Sequence, residues 1–255
     1  MKPAVPDCRS LGSHCRALHV QLRVAELTED DGPFRDAIGT WLMGHTENMD
    51  FGTPRVAGNR VVVDTTIHAE CRYLQSDGSA FRCLAHGFRG AVPDVRRPAE
   101  KPFVAADGTV TLMQDDRVQA LTLGSRAKPS RALPTLDANP CAGAPCRTAD
   151  NAEGAACCRD LTLEVIIPAW DIEAETLLET RQPPYVCKTE RVSEDIVECE
   201  VISACGYLEA DGVGCGLHDR VRPDGSPAKP SICSDWPDLD EDCDWHPGCR
   251  LVAKA

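Results

Sequence analysis

Fifteen cysteines are the residues of this 255-residue chain with the most chemistry to offer. A count of this size has few physical explanations: disulfides, metal ligands, thiol redox chemistry, or small buried apolar residues. Because the count is odd, the cysteines cannot all pair with one another within the chain. Thiolates are soft anionic ligands that suit Zn²⁺ or iron–sulfur clusters, typically about four to a site.

An internal repeat places several of these cysteines at corresponding positions. Residues 71–78 and 205–212 are identical at five of eight positions, and both stretches begin with cysteine. Each continues to a second cysteine with a histidine three residues later, giving Cys83 with His86 and Cys215 with His218. Upstream, Cys15 and Cys158 each precede an arginine and an alternating apolar run. Self-similarity of this kind predicts a duplicated framework.

The elements that position these cysteines follow from hydrophobic periodicity. Apolar residues alternate over residues 18–24 and, in the same phase, over 161–167, which predicts a strand with one buried face in each half. A helix-like stretch follows each strand, at 41–43 in the first half and at 177–178 in the second. A proline and then an aspartate precede each stretch, at Pro33 and Asp36 and at Pro168 and Asp171. Turn residues predict hairpins over 55–67, 109–123 and 185–202.

These elements predict an α+β fold of two pseudo-symmetric, loop-rich halves held by metal sites. Each half reads Cys–strand–helix–hairpin–Cys–loop–Cys-x-x-His. The predicted divisions are a first cysteine-cluster half, a hairpin with a Pro-rich linker, a second cysteine-cluster half and an acidic Cys/His tail, at residues 1–90, 91–140, 141–237 and 238–255.

The candidate metal ligands form one set in each half. The first half has a closed set of four, namely Cys8, Cys15, Cys71 and Cys83. The second half offers Cys157 or Cys158 with Cys205 and Cys215, and either Cys146 or Cys233 as the fourth. The alternative is that these cysteines are small buried residues of a duplicated fold. Their position at the boundaries of predicted elements favours ligation, because separate segments converge there.

Other residues have open roles. His86 and His218 are candidate nitrogen ligands or donors to a ligand sulfur. Cys187 and Cys199 lie on opposite arms of the second hairpin and either face each other or pack. In the tail, a Cys-x2-His-x2-Cys motif is a weak third chelate, formed by Cys243, His246 and Cys249.

Charge and the N-terminal residues narrow the class of protein. The net charge of −13 disfavours nucleic acid and a membrane surface, whose phosphates it would repel. The first residues have no apolar core of signal-peptide length, and no stretch is apolar enough to cross a bilayer. A cytoplasmic protein with reduced, metal-binding thiols is therefore expected, and a secreted disulfide protein is the disfavoured alternative.

The second half resembles the YkgJ-type family of zinc- or iron-chelating cysteine-cluster proteins. The similar features are the paired cysteines at 157–158, Cys205, the Cys215 to His218 motif, an Arg-Pro at 222–223, and Cys233 followed by Trp-Pro at 236–237. The resemblance spans about residues 141–237, with a degenerate copy over 8–89, and transfers ligand roles to Cys158, Cys205, Cys215 and Cys233. In this chain the family's compact cysteine motif is stretched and an insert occupies 224–232. Relatives fused to flagellin lysine methylases imply an iron–sulfur cluster, with a 4Fe-4S cluster favoured over Zn²⁺.

Two function classes remain open from the sequence. One is a metal-cluster protein for electron transfer or for a protein partner, and the other is an enzyme whose cluster assists catalysis. The chain has no dinucleotide-binding glycine motif, P-loop, zinc-protease or serine-hydrolase motif, so catalytic residues are unknown. A Cys–His nucleophile at 83/86 or 215/218 is conceivable, but a duplicated pair favours a structural role.

Overall fold

The structure is a computed structural model that describes residues 13–26, 32–77, 80–87, 89–90, 109–114, 117–125, 146–147, 153–181, 186–210, 212 and 214–235. The predicted ligand Cys8 lies outside these residues, as do Cys141 and the tail residues Cys243, His246 and Cys249. Among the described residues, no helix combines the length and the apolar character needed to span a bilayer.

The chain has an α+β fold with mostly antiparallel sheet and few helices. The helices are α1 (Ser13–Arg16), α2 (Gly32–Gly44), α3 (Ile172–Glu179) and α4 (Ser231–Asp235). The strands are β1 (Leu18–Glu26), β2 (Met49–Phe51), β3 (Arg55–Ala57), β4 (Arg60–Ile67), β5 (Leu74–Asp77), β6 (Ala80–Cys83), β7 (Arg89–Gly90), β8 (Thr109–Gln114), β9 (Arg117–Thr122), β10 (Gly124–Ser125), β11 (Cys146–Arg147), β12 (Glu153–Gly154), β13 (Asp160–Ile166), β14 (Val186–Arg191), β15 (Ile196–Ile202) and β16 (Arg220–Val221).

The chain divides into two compact units whose segments alternate along the sequence. Unit 1 draws on Met1–Glu26, Asn48–Ala99 and Leu161–Ser203, and unit 2 draws on Leu27–Glu47, Glu100–Asp160 and Ala204–Ala255. Segments from both sides of the predicted linker therefore enter each unit. The predicted domain boundaries at residues 90, 140 and 237 remain predictions.

Unit 1 is built on a seven-stranded sheet. Its order is β14-β15-β13-β1-β4-β2, with β3 also paired to β4. The predicted alternation is confirmed in β13, where Leu161, Leu163 and Val165 are buried, and in β1, where Leu18 and Leu22 are buried. The two strands are antiparallel neighbours with Leu22 opposite Val165. These apolar side chains form the core because leaving each one in water would cost about 1.5–3 kcal/mol.

The predicted hairpins and the helices expected after β1 and β13 are confirmed; Pro33 lies in the first turn of α2 as expected, whereas Pro168 precedes α3. The hairpin β3–β4 turns at Gly58, which has φ of 65° and so favours glycine. The hairpins β14–β15 and β8–β9 also form. Helix α3 begins after Asp171, whose carboxylate accepts a hydrogen bond of 3.1 Å from the Ala174 N–H and so caps the helix.

Unit 2 contains short hairpins around a small apolar cluster. Helix α2 packs against β8 and α4. The cluster is buried and consists of Leu112, Leu123, Tyr207, Leu217 and Ala228.

Candidate metal centre

Backbone hydrogen bonds bring three cysteine-bearing segments of unit 2 together. The N–H of Cys205 donates to the carbonyl of Cys158 at 2.8 Å. After a tight turn, Leu208 forms an antiparallel bridge with Cys215, and the Gly216 N–H donates to the Tyr207 carbonyl at 2.8 Å. We call these three hydrogen-bonded segments, residues 155–159, 204–210 and 214–218, together with a fourth segment, 230–235, the unit 2 corner.

Cys205 and Cys215 pack side by side at the edge of the apolar cluster of unit 2. Burial raises the pKa of the Cys205 thiol to about 11; the backbone hydrogen bond from Tyr207 opposes this rise, and the charge of a Cys215 thiolate adds to it. Burial also raises the pKa of the Tyr207 hydroxyl, with smaller contributions from the same two cysteines. The Cys205 thiol is therefore neutral near pH 7.

Cys157 and Cys233 are two further cysteines of the unit 2 corner. Cys157 lies in a single 3-10 turn, Ala156–Cys158, and Cys233 lies in α4. Burial raises the pKa of the Cys233 thiol to about 12, and Cys205, Cys215 and Cys157 each act electrostatically on it. Lys229 opposes that rise with its positive charge. Thiols from four separate segments are thus electrostatic neighbours.

Helix α2 closes the unit 2 corner through a glycine. The Gly206 N–H donates to the Gly44 carbonyl at 2.8 Å. A Cβ at Gly44 would lie 3.2 Å from Cys205 Sγ and 3.5 Å from the Tyr207 ring. Glycine suits this position because the helix end approaches the thiol closely and a Cβ would make the thiol give way. The next residue, His45, is fully buried, and its Nδ1 lies 2.6 Å from the Trp41 carbonyl.

The corresponding cysteines of unit 1 converge in the same way. The N–H of Cys71 donates to the carbonyl of Cys15 at 2.8 Å, and Leu74 pairs with Cys83 across β5 and β6. The Leu84 N–H donates to the Tyr73 carbonyl at 2.8 Å. We call this arrangement of residues 14–16, 69–74 and 81–84 the unit 1 corner.

The side chains of the unit 1 corner are more aromatic than those of the unit 2 corner. Cys15 packs with Tyr73 and Phe81 against the buried pair Cys71 and Leu74. The guanidinium of Arg16 stands over the Phe81 ring at 4.1 Å, a cation–π contact. The fourth predicted ligand of this half is the undescribed Cys8, so the structure brings together three of the four.

Arg181 ties the unit 1 corner to the end of helix α3. Its side chain is 1% exposed and donates to three carbonyls: Leu177 at 2.8 Å, His14 at 2.6 Å and Ala69 at 3.0 Å. The Arg72 N–H donates to the Thr180 carbonyl at 2.8 Å. The helix end thus holds the segments that precede Cys15 and Cys71.

The remaining candidates lie elsewhere or have open roles. Cys146 lies in β11, whose partner strand β12 leads into the turn at Cys157. Cys199 is buried in β15 opposite Thr189, while Cys187 falls at an irregularity of β14, so these two are not directly paired in register. His86 and His218 are both exposed. Among the described side chains, no three His, Cys, Asp or Glu residues already have the arrangement that a metal ion requires.

Sequence reasoning missed Gly44, His45 and Arg181. A signal was present, because 41–45 and 177–181 occupy matching places after the predicted strands, and each stretch ends in a polar side chain. It also missed a groove of about 950 Å³ in unit 1, lined by His14, His19 and His68 among others. His19 Nδ1 lies 2.9 Å from the Thr66 hydroxyl, and His68 Nε2 lies 2.7 Å from the Asp50 carboxylate. These partners indicate a structural role for both histidines.

Comparison with protein-family models, with curated proteins and with solved structures found no match. The resemblance to the YkgJ-type family therefore stays a prediction from the residues.

Proposed function

We propose that this chain is a metal-binding protein that holds Zn²⁺ or an iron–sulfur cluster through cysteine thiolates. The observation that carries the proposal is the unit 2 corner, where thiols from four segments are electrostatic neighbours beside an apolar cluster. Four cysteines are the usual complement of a structural zinc site or of an iron–sulfur cluster. Among the candidate ligands of the second half, we favour Cys157 and Cys233 as the partners of Cys205 and Cys215, because the other three thiols act electrostatically on Cys233.

The proposed ligands must change protonation and orientation on binding. A metal displaces the thiol protons, so raised thiol pKa values make binding strongly dependent on pH. A cysteine side chain has one heavy-atom torsion, and rotation between its staggered positions moves Sγ while the backbone stays in place. The hydrogen bonds described above already join the backbone around Cys158, Cys205 and Cys215 in one corner and around Cys15, Cys71 and Cys83 in the other.

The second part of the proposal is that the framework is duplicated and pseudo-symmetric. Its support is that the same backbone bonds recur: Cys71 to Cys15 matches Cys205 to Cys158, and Leu74 with Cys83 matches Leu208 with Cys215. The sheet order supports it too, because β1–β4–β3 and β13–β15–β14 extend in opposite directions from the central pair.

The register of the central strands gives independent support for duplication. Leu22 and Val165 occupy the same place in the two alternating runs, each seven residues after Cys15 or Cys158. These two residues are direct partners in the antiparallel pairing. An antiparallel pair centred on equivalent residues is what a two-fold axis between two copies produces.

Duplication implies that each helix serves the other copy's cysteines. Helix α3 follows β13 in sequence, yet its end holds the unit 1 corner, and helix α2 follows β1 yet closes the unit 2 corner. We place the first metal site at Cys15, Cys71 and Cys83, with Cys8 as its expected fourth ligand. A cytoplasmic location suits this chemistry because thiols stay reduced there.

Metal analysis of single cysteine variants tests the proposal. The protein is purified anaerobically, and zinc, iron and sulfide are measured; absorption at about 400 nm identifies an iron–sulfur cluster. Cys71→Ala and Cys205→Ala are each expected to remove about half of the metal, because each removes a ligand from one site. Cys199→Ala is the control, since Cys199 is a buried cysteine that lies in neither corner.

The same preparations separate the alternatives. Full metal content in both Cys71→Ala and Cys205→Ala would show that the corners do not bind it. Total loss in either variant would replace two sites by one shared site. Fewer than fifteen free thiols after denaturation with a chelator would indicate disulfides and a different class of protein.

A further inference from the structure

Unit 1 exposes three large apolar side chains on two segments that hydrogen bonds hold side by side. Trp170 is 81% exposed, Ile172 is 70% exposed and Val192 is 52% exposed. Trp170 and Ile172 flank the capping residue of helix α3, and Val192 lies in the turn of the hairpin β14–β15. We call these three residues the Trp170 patch.

Hydrogen bonds join the two segments that carry the Trp170 patch. The Ile167 N–H donates to the Asp195 carbonyl at 2.9 Å. The Arg191 guanidinium donates to the Ile167 carbonyl at 3.0 Å and to the Glu175 carboxylate at 2.5 Å. The hairpin turn is therefore fixed beside the start of helix α3, and the patch is a surface of defined shape.

Local structure does not require these apolar side chains. The turn before helix α3 is held by the Asp171 N–H, which donates to the Pro168 carbonyl at 2.8 Å, and by the Asp171 cap. Neither contact uses the side chain of Trp170 or Ile172. A grouped set of exposed apolar residues on a soluble surface marks an interaction site, and tryptophan is enriched among the residues that dominate binding energy.

The surroundings of the Trp170 patch are acidic. Residues 168–175 and 190–196 contain six acidic residues and a single basic one, Arg191. Arg191 pairs with Glu175, and Arg60 pairs with Asp195 at 2.5 Å, so the rim keeps a net negative charge. The exposed carboxylates of Glu173 and Glu194 belong to this rim. A negative rim favours a positive partner and disfavours a second copy of this acidic chain.

We propose that the Trp170 patch docks a segment of a partner protein in which apolar side chains are flanked by lysine or arginine. The apolar side chains cover Trp170 and Ile172, and the basic side chains meet the acidic rim. This interface is independent of the proposed metal sites, because none of its residues belongs to either corner.

Binding of defined peptides to the full chain tests the interface. A peptide of alternating leucine and lysine is titrated by calorimetry, beside a serine–lysine peptide and a leucine–glutamate peptide. The leucine–lysine peptide is expected to bind best, with an affinity that falls as salt is added. The double variant Trp170→Ser/Ile172→Ser is expected to bind it about tenfold more weakly.

Matched variants distinguish the patch from general charge. Val56→Ser, at an exposed apolar residue outside both corners, is expected to leave binding unchanged. Equal binding of the serine–lysine peptide, or no effect of the double variant, would reduce the interaction to net charge and overturn the proposal. A dimer of the wild type that dissociates in the double variant, seen by sedimentation, would make the occupant a second copy and overturn it equally.

Discussion

The unit 1 and unit 2 corners share a backbone but differ in the side chains that fill it. In both, a cysteine N–H donates to the carbonyl of a cysteine far back in the sequence, and a third cysteine is held across a short hairpin or bridge. The unit 1 corner is filled by Tyr73 and Phe81, whereas the unit 2 corner gathers Cys157 and Cys233. The two corners thus keep the same backbone arrangement, while the side chains around it differ.

The residue after each closing helix shows the same divergence. Thr180 and Gly44 each offer a carbonyl to the residue that follows a corner cysteine, and Arg181 and His45 come next. Arg181 is a buried, permanently charged guanidinium, while burial lowers the pKa of His45 to about 4 and keeps its imidazole neutral near pH 7. Equivalent positions therefore place a fixed positive charge in unit 1 and a neutral ring in unit 2.

The largest effect is expected from Arg181→Met. The substitution removes the buried guanidinium that donates to three carbonyls, of which the Leu177 carbonyl keeps another donor, the Thr180 hydroxyl, so the free energy of unfolding should fall by about 3–5 kcal/mol. Urea denaturation measures the loss. Arg82→Met, at an exposed arginine of the same corner, is the control and should change stability by less than about 0.5 kcal/mol. If both variants lost the same free energy of unfolding, the hydrogen bonds of Arg181 would not explain the loss.

A smaller, acid-dependent effect is expected at His45. Its folded pKa lies below the ordinary value of 6.5, so the unfolded chain takes up a proton first as pH falls. This residue's contribution to stability is present above pH 6.5 and is lost as pH falls to about 4, to a total of about 3 kcal/mol.

The replacement His45→Gln isolates that contribution. The variant keeps a donor for the Trp41 carbonyl but cannot titrate, so it should lose less stability than the wild type between pH 7 and pH 4. Fluorescence of Trp41, whose ring centroid lies 5.2 Å from that of His45, follows the transition. His218→Gln, at an exposed histidine, should behave like the wild type. Parallel pH profiles for all three proteins would contradict the assignment.

Local features of the fold were predictable because they depend on short-range chemistry. Alternation gave the buried faces of β1 and β13, turn residues located the three hairpins, and the proline and aspartate after each strand indicated helices α2 and α3 without fixing where α3 begins. The sheet order was not predictable, because alternation shows which face of a strand is buried but not which strand lies beside it. The direct pairing of Leu22 with Val165 therefore emerged only from the structure.

The candidate site was predictable in part for a similar reason. Repetition of the cysteine motif indicated that Cys15 with Cys71 and Cys158 with Cys205 belong together, and the backbone bonds join those pairs. The choice among Cys146, Cys157 and Cys233 depends on how a 3-10 turn and helix α4 are placed in three dimensions. Arg181 and His45 were missed because a polar residue after a helix is ordinarily exposed.

Gly44→Ala is expected to have the smallest effect and to act on the unit 2 corner alone. The added Cβ would lie 3.2 Å from Cys205 Sγ, so the thiol must shift, at a cost of about 1–2 kcal/mol in stability together with weaker metal retention by this site. Gly216→Ala is the control, because its Cβ would lie 3.5 Å from the Tyr207 carbonyl, an ordinary contact. In unit 1 the matching residue is Thr180, which already carries a buried side chain. A variant that keeps stability and metal unchanged would show that the helix end does not constrain the thiol.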